Sequence, residues 1–382
     1  MIQKKKKPQQ STTHTDAEKK SQKLGLAFKI IYCVSALAAI IYVIAVISTG
    51  FADFFNRYIS SGVRAFLGLI TSVLPFSLAE ILLILLIPAI ILAMIIAFKY
   101  YCDTWKNVFI FSAKLFSVAS ILFSLFVFTL GTSYHGSTLD QKLGLDRREV
   151  TKDELKYTAE LLTEYVNELA TDVDFESQSF SVMPYSTKEM NKKLLNAYEK
   201  ASEQYDFIPK MCSRVKPVMM SKLMSYTHIT GVYSFFTGEA NINVDFPDYT
   251  IPFTAAHELA HQRGVAREDE ANFVAFIVCS MSDDTYIRYS GYLSLLEYVS
   301  NAYYSADTSD NHTDYAELRN SLNIKVRYEQ RAYNEFFDKY RDSVASDLSG
   351  AVNDAYLQSQ GIKEGSKSYG MVVDLAVAYY KP

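Results

Sequence analysis

In the stretch His257-Glu258-Leu259-Ala260-His261, two imidazoles stand four residues apart with a carboxylate beside the first. Residues at that spacing share one face of a helix, so His257 and His261 can offer two ring nitrogens to one tetrahedral zinc (Zn2+) while Glu258 points at the water that completes it. A catalytic zinc wants three protein ligands and one open position. The metal lowers the pKa of water there toward neutrality, and a neighbouring carboxylate takes the proton as the oxygen attacks a carbonyl. The third ligand has to come from downstream. Gly264 stands where a helix would close in a left-handed turn, and Arg267 to Ser280 reads as a new helix with apolar positions at Ala271, Phe273, Val274, Ala275, Ile277 and Val278. Arg267, at the head of that helix, cannot hold a cation, and no further His follows closely. A carboxylate must substitute, and Glu268 and Glu270 both lie in the first turn of the second helix. Glu268 is favoured because Asn272, four residues on, could hydrogen-bond it and fix its direction; Glu270 stays open as the alternative.

The bland alternative is an ordinary helix with a salt-bridged polar face. With six His in the chain, a chance match to this spacing is expected in roughly one such sequence in a few hundred. The apolar lead-in Ile251-Pro252-Phe253-Thr254-Ala255-Ala256, the Gly stop and the acidic start of the next helix are additions that chance would lack.

Together with Phe236-Thr237-Gly238-Glu239-Ala240-Asn241-Ile242-Asn243, Pro252 to Gln262 and Glu268-x-Glu270-Ala271-Asn272-Phe273, this stretch resembles the bacterial membrane family called domain of unknown function 3810, which looks zincin-like. A looser likeness takes in Leu74-Pro75-Phe76-Ser77-Leu78 and Lys367-Ser368-Tyr369-Gly370, so it spans most of the chain. Glu268-x-x-Ala271-Asn272 is also similar to the gluzincin pattern Glu-x-x-Ala-Asp, in which the first Glu binds metal. That resemblance gives the ligand role to Glu268, with Asn272 standing in place of the Asp.

The elements that must position these residues begin in a membrane. Seven Lys against Asp16 and Glu18 make residues 1–23 a basic, disordered tail suited to an anionic inner leaflet, with no nucleic acid expected as partner. Three apolar segments follow at about 24–47, 81–98 and 108–130, each near the length that crosses roughly 30 Å of hydrocarbon at 1.5 Å per residue. Ser48-Thr49-Gly50 after the first would suit a cleaved signal peptide, but the apolar run is too long for one. Between the first two spans, residues 51–76 mix Phe54, Phe55, Tyr58 and Phe66 with Asn56, Arg57 and Arg64, and read as an amphipathic interfacial helix or a re-entrant piece shaping an entrance. Glu80, at the end of the second span, is expected to face headgroup water. The Lys-rich tail and the connection holding Lys99 and Lys106 would be cytoplasmic, which puts residues 131–382 outside a multi-pass cell-membrane protein. Residues 1–23 carry +5 and 24–130 carry +3, so a total of −4 leaves −12 on the remainder, a charge that discourages lying flat on anionic lipid.

Beyond residue 130 the pattern is α-rich. Thr151 with Glu154 and Ser186 with Glu189 have capping-box spacing and open helices over about 152–170 and 187–205. Residues 284–304, 313–346, 347–358 and 366–380 are also helical in period. Thr230 to Phe246 reads as one or two strands broken at Gly238, either a substrate-binding edge strand or a structural hairpin, with Asn241 and Asn243 as candidate surface or substrate contacts. Tyr286, Tyr289 and Tyr292 are expected in the core, while one of the Tyr or His228 could stabilise an oxyanion. Cys33, Cys102, Cys212 and Cys279 do not pair plausibly, though a Cys212–Cys279 bridge is conceivable; Cys279 is expected to be a buried thiol, and His14, His135 and His312 are isolated.

The expected protein is mainly α: three transmembrane helices, then an α-rich, zincin-like (α+β) extracytoplasmic domain with a short strand or hairpin. Its expected function is that of a membrane-anchored zinc metallopeptidase acting on a peptide or protein at the outer membrane face, with the lipid bilayer as its other partner. His257, His261 and Glu268 or Glu270 would hold metal, Asn272 would support it, and Glu258 would be the general base. The reading from another class is a non-catalytic membrane protein with a structural or vestigial metal site.

Overall fold

The computed structural model describes residues 13–341 and 343–381. It is mainly helical. Helix α1 (Thr13–Ile47) ends at Ser48, whose hydroxyl accepts from Phe51 N at 3.3 Å and opens α2 (Thr49–Phe54). Residues 13–23, expected to be disordered, are thus the first turns of α1; residues 1–12 of the basic tail lie outside the described residues. A π-helical turn over Phe55–Ser60 joins α2 to α3 (Ser61–Ser72). Helices α4 (Leu78–Tyr100) and α5 (Trp105–Thr129) follow. Gly25–Ile47, Leu78–Tyr100 and Trp105–Thr129 are long and apolar enough to cross a membrane. The second starts three residues before its expected boundary because Ser77 caps it, accepting from Glu80 N at 3.0 Å. Small residues let α1 and α5 approach closely: Ala38 and Ala45 are buried on one, Ser117, Ser120 and Ser124 on the other. The apolar run of α4 is exposed along its length.

The remainder of the chain gathers at the end of these helices marked by Ile47, Leu78 and Thr129. Short α6 (Leu139–Leu143) leads to α7 (Lys152–Leu169), which opens on the Thr151–Glu154 capping box, and to α8 (Thr187–Gln204), capped by Ser186. A small sheet holds β1 (Lys216–Pro217), β2 (Gly231–Ser234) and β3 (Glu239–Ile242), with α9 (Ser221–Ser225) between the first two. The order is β1-β3-β2, parallel between β1 and β3 and antiparallel in the β2–β3 hairpin, so the buried β3 is central and β2 is an edge. The hairpin turns at Gly238 with φ +71°, where the Gly in the sequence predicts a break. Helices α10 (Thr250–Gln262), α11 (Glu268–Ser280) and α12 (Thr285–Ala306) form the middle of the core with α7, α8 and β3 packed around them. Residues 313–346 are not one helix. Asn323 caps a new one, so α13 (Thr313–Ser321) and α14 (Ile324–Asp338) precede α15 (Val344–Ser359), and a 3-10 stretch over Gly365–Met371 precedes α16 (Val372–Tyr380).

Buried polar contacts bolt this body to the membrane-side elements, and they correct two expectations. Glu80 does not face water: it is buried, and its carboxylate accepts from Met219 N and Met220 N at 2.9 and 2.8 Å. Arg64 is not on a wet face of α3. It is buried and donates to the carbonyls of Thr129, Asn56 and Arg263. Glu239 on β3 caps α4 by accepting from Leu78 N and Ala79 N at 3.0 and 2.8 Å. Lys216 completes the junction, donating to Glu239 at 2.6 Å and to the carbonyls of Thr71 and Phe76 at 2.6 and 3.0 Å. Asn241 and Asn243 are likewise buried, bonded to Val232 O and to Ile229 O, so they stitch the hairpin rather than face a substrate. Cys212 and Cys279 are both free, the second buried.

A buried ion pair that loses one member leaves the other charge stranded. Lys216→Met should therefore cost about 3–5 kcal/mol, whereas Lys216→Met with Glu239→Gln should cost clearly less than the two single changes together. Thermal unfolding of the detergent-solubilised full chain measures both; additive losses would show that the pair is not coupled.

Candidate metal centre

Helix α10 is buried along nearly its whole length, which its Ala-rich sequence permits: Ala255, Ala256 and Ala260 let β3 and α11 approach closely. After Gln262 the chain turns at Gly264 with φ +94°, where a Cβ would meet Arg64 Nη2 at 2.4 Å. The turn itself takes the last carbonyls of α10, with Arg263 N and Val265 N donating to Ala260 O and Gly264 N to His261 O, and the carbonyls of the turn are taken from outside. Arg64 reaches Arg263 O at 3.3 Å, and Asn56, in the π-helical turn, reaches Gly264 O at 3.1 Å. The turn brings the first residue of α11, Glu268, back over the exposed face of the His pair.

His257 Nε2 and His261 Nε2 lie 2.9 Å apart, and Glu268 Oε2 lies 3.2 and 3.3 Å from them. Among the described residues these three form the group that could hold a metal ion. The other ring nitrogens decide what this contact means. His257 Nδ1 meets Asn272 Oδ1 at 2.8 Å, and His261 Nδ1 meets Val265 O at 2.7 Å. Both partners are acceptors, so each Nδ1 carries the proton and each neutral ring presents a lone pair at Nε2. Two lone pairs and a carboxylate oxygen without a hydrogen-bond partner then converge on one point. They repel unless a positive charge sits between them, and in a tetrahedron with bonds of about 2.0–2.1 Å the ligand atoms are roughly 3.3 Å apart. The two distances to Glu268 match that spacing, and the nitrogens stand closer at 2.9 Å. Without a cation the same demand is met by a proton: burial would lower the His261 pKa, but the Glu268 charge outweighs it and raises it to about 9. Burial opposes ionisation of Glu268 as well, and the two imidazoles still hold its carboxyl well below the usual range.

Glu258 lies beside the group, not in it. Burial pushes its pKa up to about 7; the His pair pulls down, Glu268 pushes further up, and a backbone N–H of Tyr233 pulls down. A Cβ at Gly231 would meet Glu258 Oε1 at 2.5 Å, so the edge strand β2 runs directly against this carboxylate. The carboxylate can accept a proton from, or return one to, a group held at the three converging atoms.

The other expectations divide. Glu270 is turned away, its Oε1 accepting from Leu139 N at 3.0 Å and from Arg267 at 3.2 Å; two residues along a helix change direction by about 200°, so it does not join the ligand group while Glu268 does. Asn272 bonds His257, not Glu268, and also donates to Tyr369 O and Tyr298 Oη at 3.3 Å. His228 is engaged elsewhere, with Nε2 against Tyr340 O at 2.7 Å. Tyr286 and Tyr289 belong to a core network around Ser181 and Glu329. Not singled out from the sequence are Gly231 and Tyr369. The Tyr369 ring stacks 6.5 Å from that of His257, and its hydroxyl bonds Glu268 and Asn353. The Lys367-Ser368-Tyr369-Gly370 run was the one available signal for it. Tyr134 and Tyr356, joined through their hydroxyls at 3.1 Å near Glu268, carry no pattern that would have marked them.

The family described as Protein of unknown function (DUF3810) matches residues 55–377 of the chain. No curated protein and no solved structure matches it.

The Asn272 bond holds the His257 ring in the tautomer and direction that expose Nε2. Asn272→Ala should weaken binding of a divalent cation by about 10–100-fold while leaving the unfolding midpoint of the chelator-treated protein within a few degrees. Cobalt or zinc titration reads the first; unchanged affinity would mean that packing alone orients the ring.

Proposed function

For this chain, which belongs to the DUF3810 family, we propose the activity of a membrane-anchored, zinc-dependent metallopeptidase with a zincin-like site. His257, His261 and Glu268 hold the metal. Bound there, zinc would supply a Lewis acid that polarises the scissile carbonyl and acidifies water. Glu258 accepts the proton of the attacking water and passes it to the leaving amine. A carboxyl raised to about 7 by burial suits both steps near neutral pH, since it is neither too weak a base nor too weak an acid. The free edge of β2, with no side chain at Gly231 between backbone and Glu258, offers a place for an extended peptide to pair. The site lies at the end of the apolar helices opposite Lys99 and Lys106, and the positive-inside rule makes that the outer face of the cell membrane, where the substrate is a peptide or protein.

The observation that carries this reading is the convergence of three acceptor atoms, with both Nδ1 protons already committed. A closed structural zinc would have a fourth protein ligand, and among the described residues the group has three members.

Purified full-length protein should carry close to one zinc per chain, and His261→Ala should lose it; equal zinc in both would sink the site. Glu258→Gln should keep the metal and lower cleavage by about 10²–10⁴-fold, read by comparing peptide termini in membrane fractions of cells expressing each form. Identical termini from the two, with metal retained, would remove the catalytic role.

A further inference from the structure

Helix α15 is inside out for a helix in water. At 100° per residue, Ala351, Val344, Ala355, Leu348, Val352 and Ala345 fall within an arc of about 120°. Every one of them is exposed, with Val344, Leu348 and Val352 at 82%, 67% and 62%. The residues turned toward the protein lie elsewhere on the helix: Asn353, which bonds Tyr369, and Leu357, the buried residue of α15. Over 344–355 this face is apolar throughout and directed away from the body, and such a face needs an apolar cover.

Its position indicates the cover. Just past the end of α15, Gln360 Oε1 accepts from Tyr42 Oη on α1 at 3.1 Å. Tyr42 is five residues before the end of α1, about 7 Å along the helix. The Tyr356 ring packs 6.3 Å from that of Phe126, three residues before the end of α5. The C-terminal end of α15 therefore reaches the level of the apolar helices themselves. A second exposed patch, Met219, Met220 and Leu223 around α9, is tied to the first turn of α4 through Glu80.

We propose that α15 is a membrane-surface helix, with its Val344–Leu348–Val352 face in the acyl region of the leaflet at the Ile47, Leu78 and Thr129 ends of the spans. Its inner face carries Asn353 and Tyr356 to the groups around Glu268, so the same helix forms the wall between lipid and the metal centre. Resting on the peptidase reading, this makes the substrate a segment presented at the bilayer surface. The placement of α15 itself needs no activity.

Trp105 is the single Trp of the chain and sits at the other end of α5, so a Trp105→Phe background is dark. In it, Leu348→Trp, Val352→Trp and Gly350→Trp each report one position; all three sites are exposed, and Gly350 lies away from the apolar arc. The full chain is reconstituted in phosphatidylcholine–phosphatidylglycerol vesicles with and without acyl-brominated lipid. The expected result is blue-shifted emission at 348 and 352, quenched several-fold more strongly by bromine than emission at 350. Water-like emission with weak quenching at all three overturns the proposal. So does blue-shifted emission that bromine does not quench, which would put protein, such as a second copy of this chain, on that face. Equal strong quenching at 348, 350 and 352 overturns it as well, since an interfacial helix has a dry side and a wet one. These readings are independent of zinc content and cleavage, so failure here leaves the peptidase reading standing, and the reverse.

Discussion

Two imidazoles whose Nδ1 protons are both given to oxygen acceptors can face each other only lone pair to lone pair. That constraint sets the character of the region around α10. His257 is committed to Asn272 and His261 to Val265 O, and the free nitrogens close to 2.9 Å with a carboxylate oxygen above them. In a buried setting such repulsion is strong, and a proton or a cation must relieve it. The proton solution is visible in the raised pKa of His261; a divalent ion satisfies all three atoms at once and needs no hydrogen at the shared point.

Around this point the fold leaves little freedom. Asn272 belongs to α11, Val265 to the turn and Gly231 to β2, so the angle between the two helices and the depth of the hairpin together determine where the nitrogens point. The turn is in turn held by Arg64 and Asn56, which come from the chain before the second apolar helix. Buried donors are costly unless paired, and here they are paired with the carbonyls of Arg263 and Gly264 in that turn. The membrane-side segment is thus part of the scaffold of the site rather than a tether. Glu239 and Lys216 do the same for the sheet, joining β3 and β1 to the start of α4.

Much of this was legible in order and kind. Apolar runs of sufficient length announce the three helices, because crossing hydrocarbon requires roughly 20 apolar residues in a row and little else resembles that. The capping box at Thr151, the cap at Ser186, the break at Gly238 and the left-handed Gly264 are local demands of backbone geometry, so the residues that meet them stand out. Less legible were the polar residues near the membrane ends. Arg64 and Glu80 look like surface charges because a charge next to an apolar segment usually faces water; their partners include backbone groups 199 and 139 residues away, Arg263 O and Met219 N. The long helix expected over 313–346 failed for a smaller reason, a cap at Asn323 that interrupts an otherwise continuous period.

Sequence alone determined that two imidazoles and a carboxylate share a helix turn, since a spacing of four residues is a property of the helix itself. It also determined that a second helix begins with acidic residues after a tight turn. Which acid faces the pair, Glu268 or Glu270, and that Asn272 serves His257 instead of Glu268, depended on the angle at which α11 leaves Gly264. Only the assembled structure sets that angle, because it follows from packing between helices and from Arg64 and Asn56, residues far off along the chain whose interaction with Gly264 no local pattern encodes.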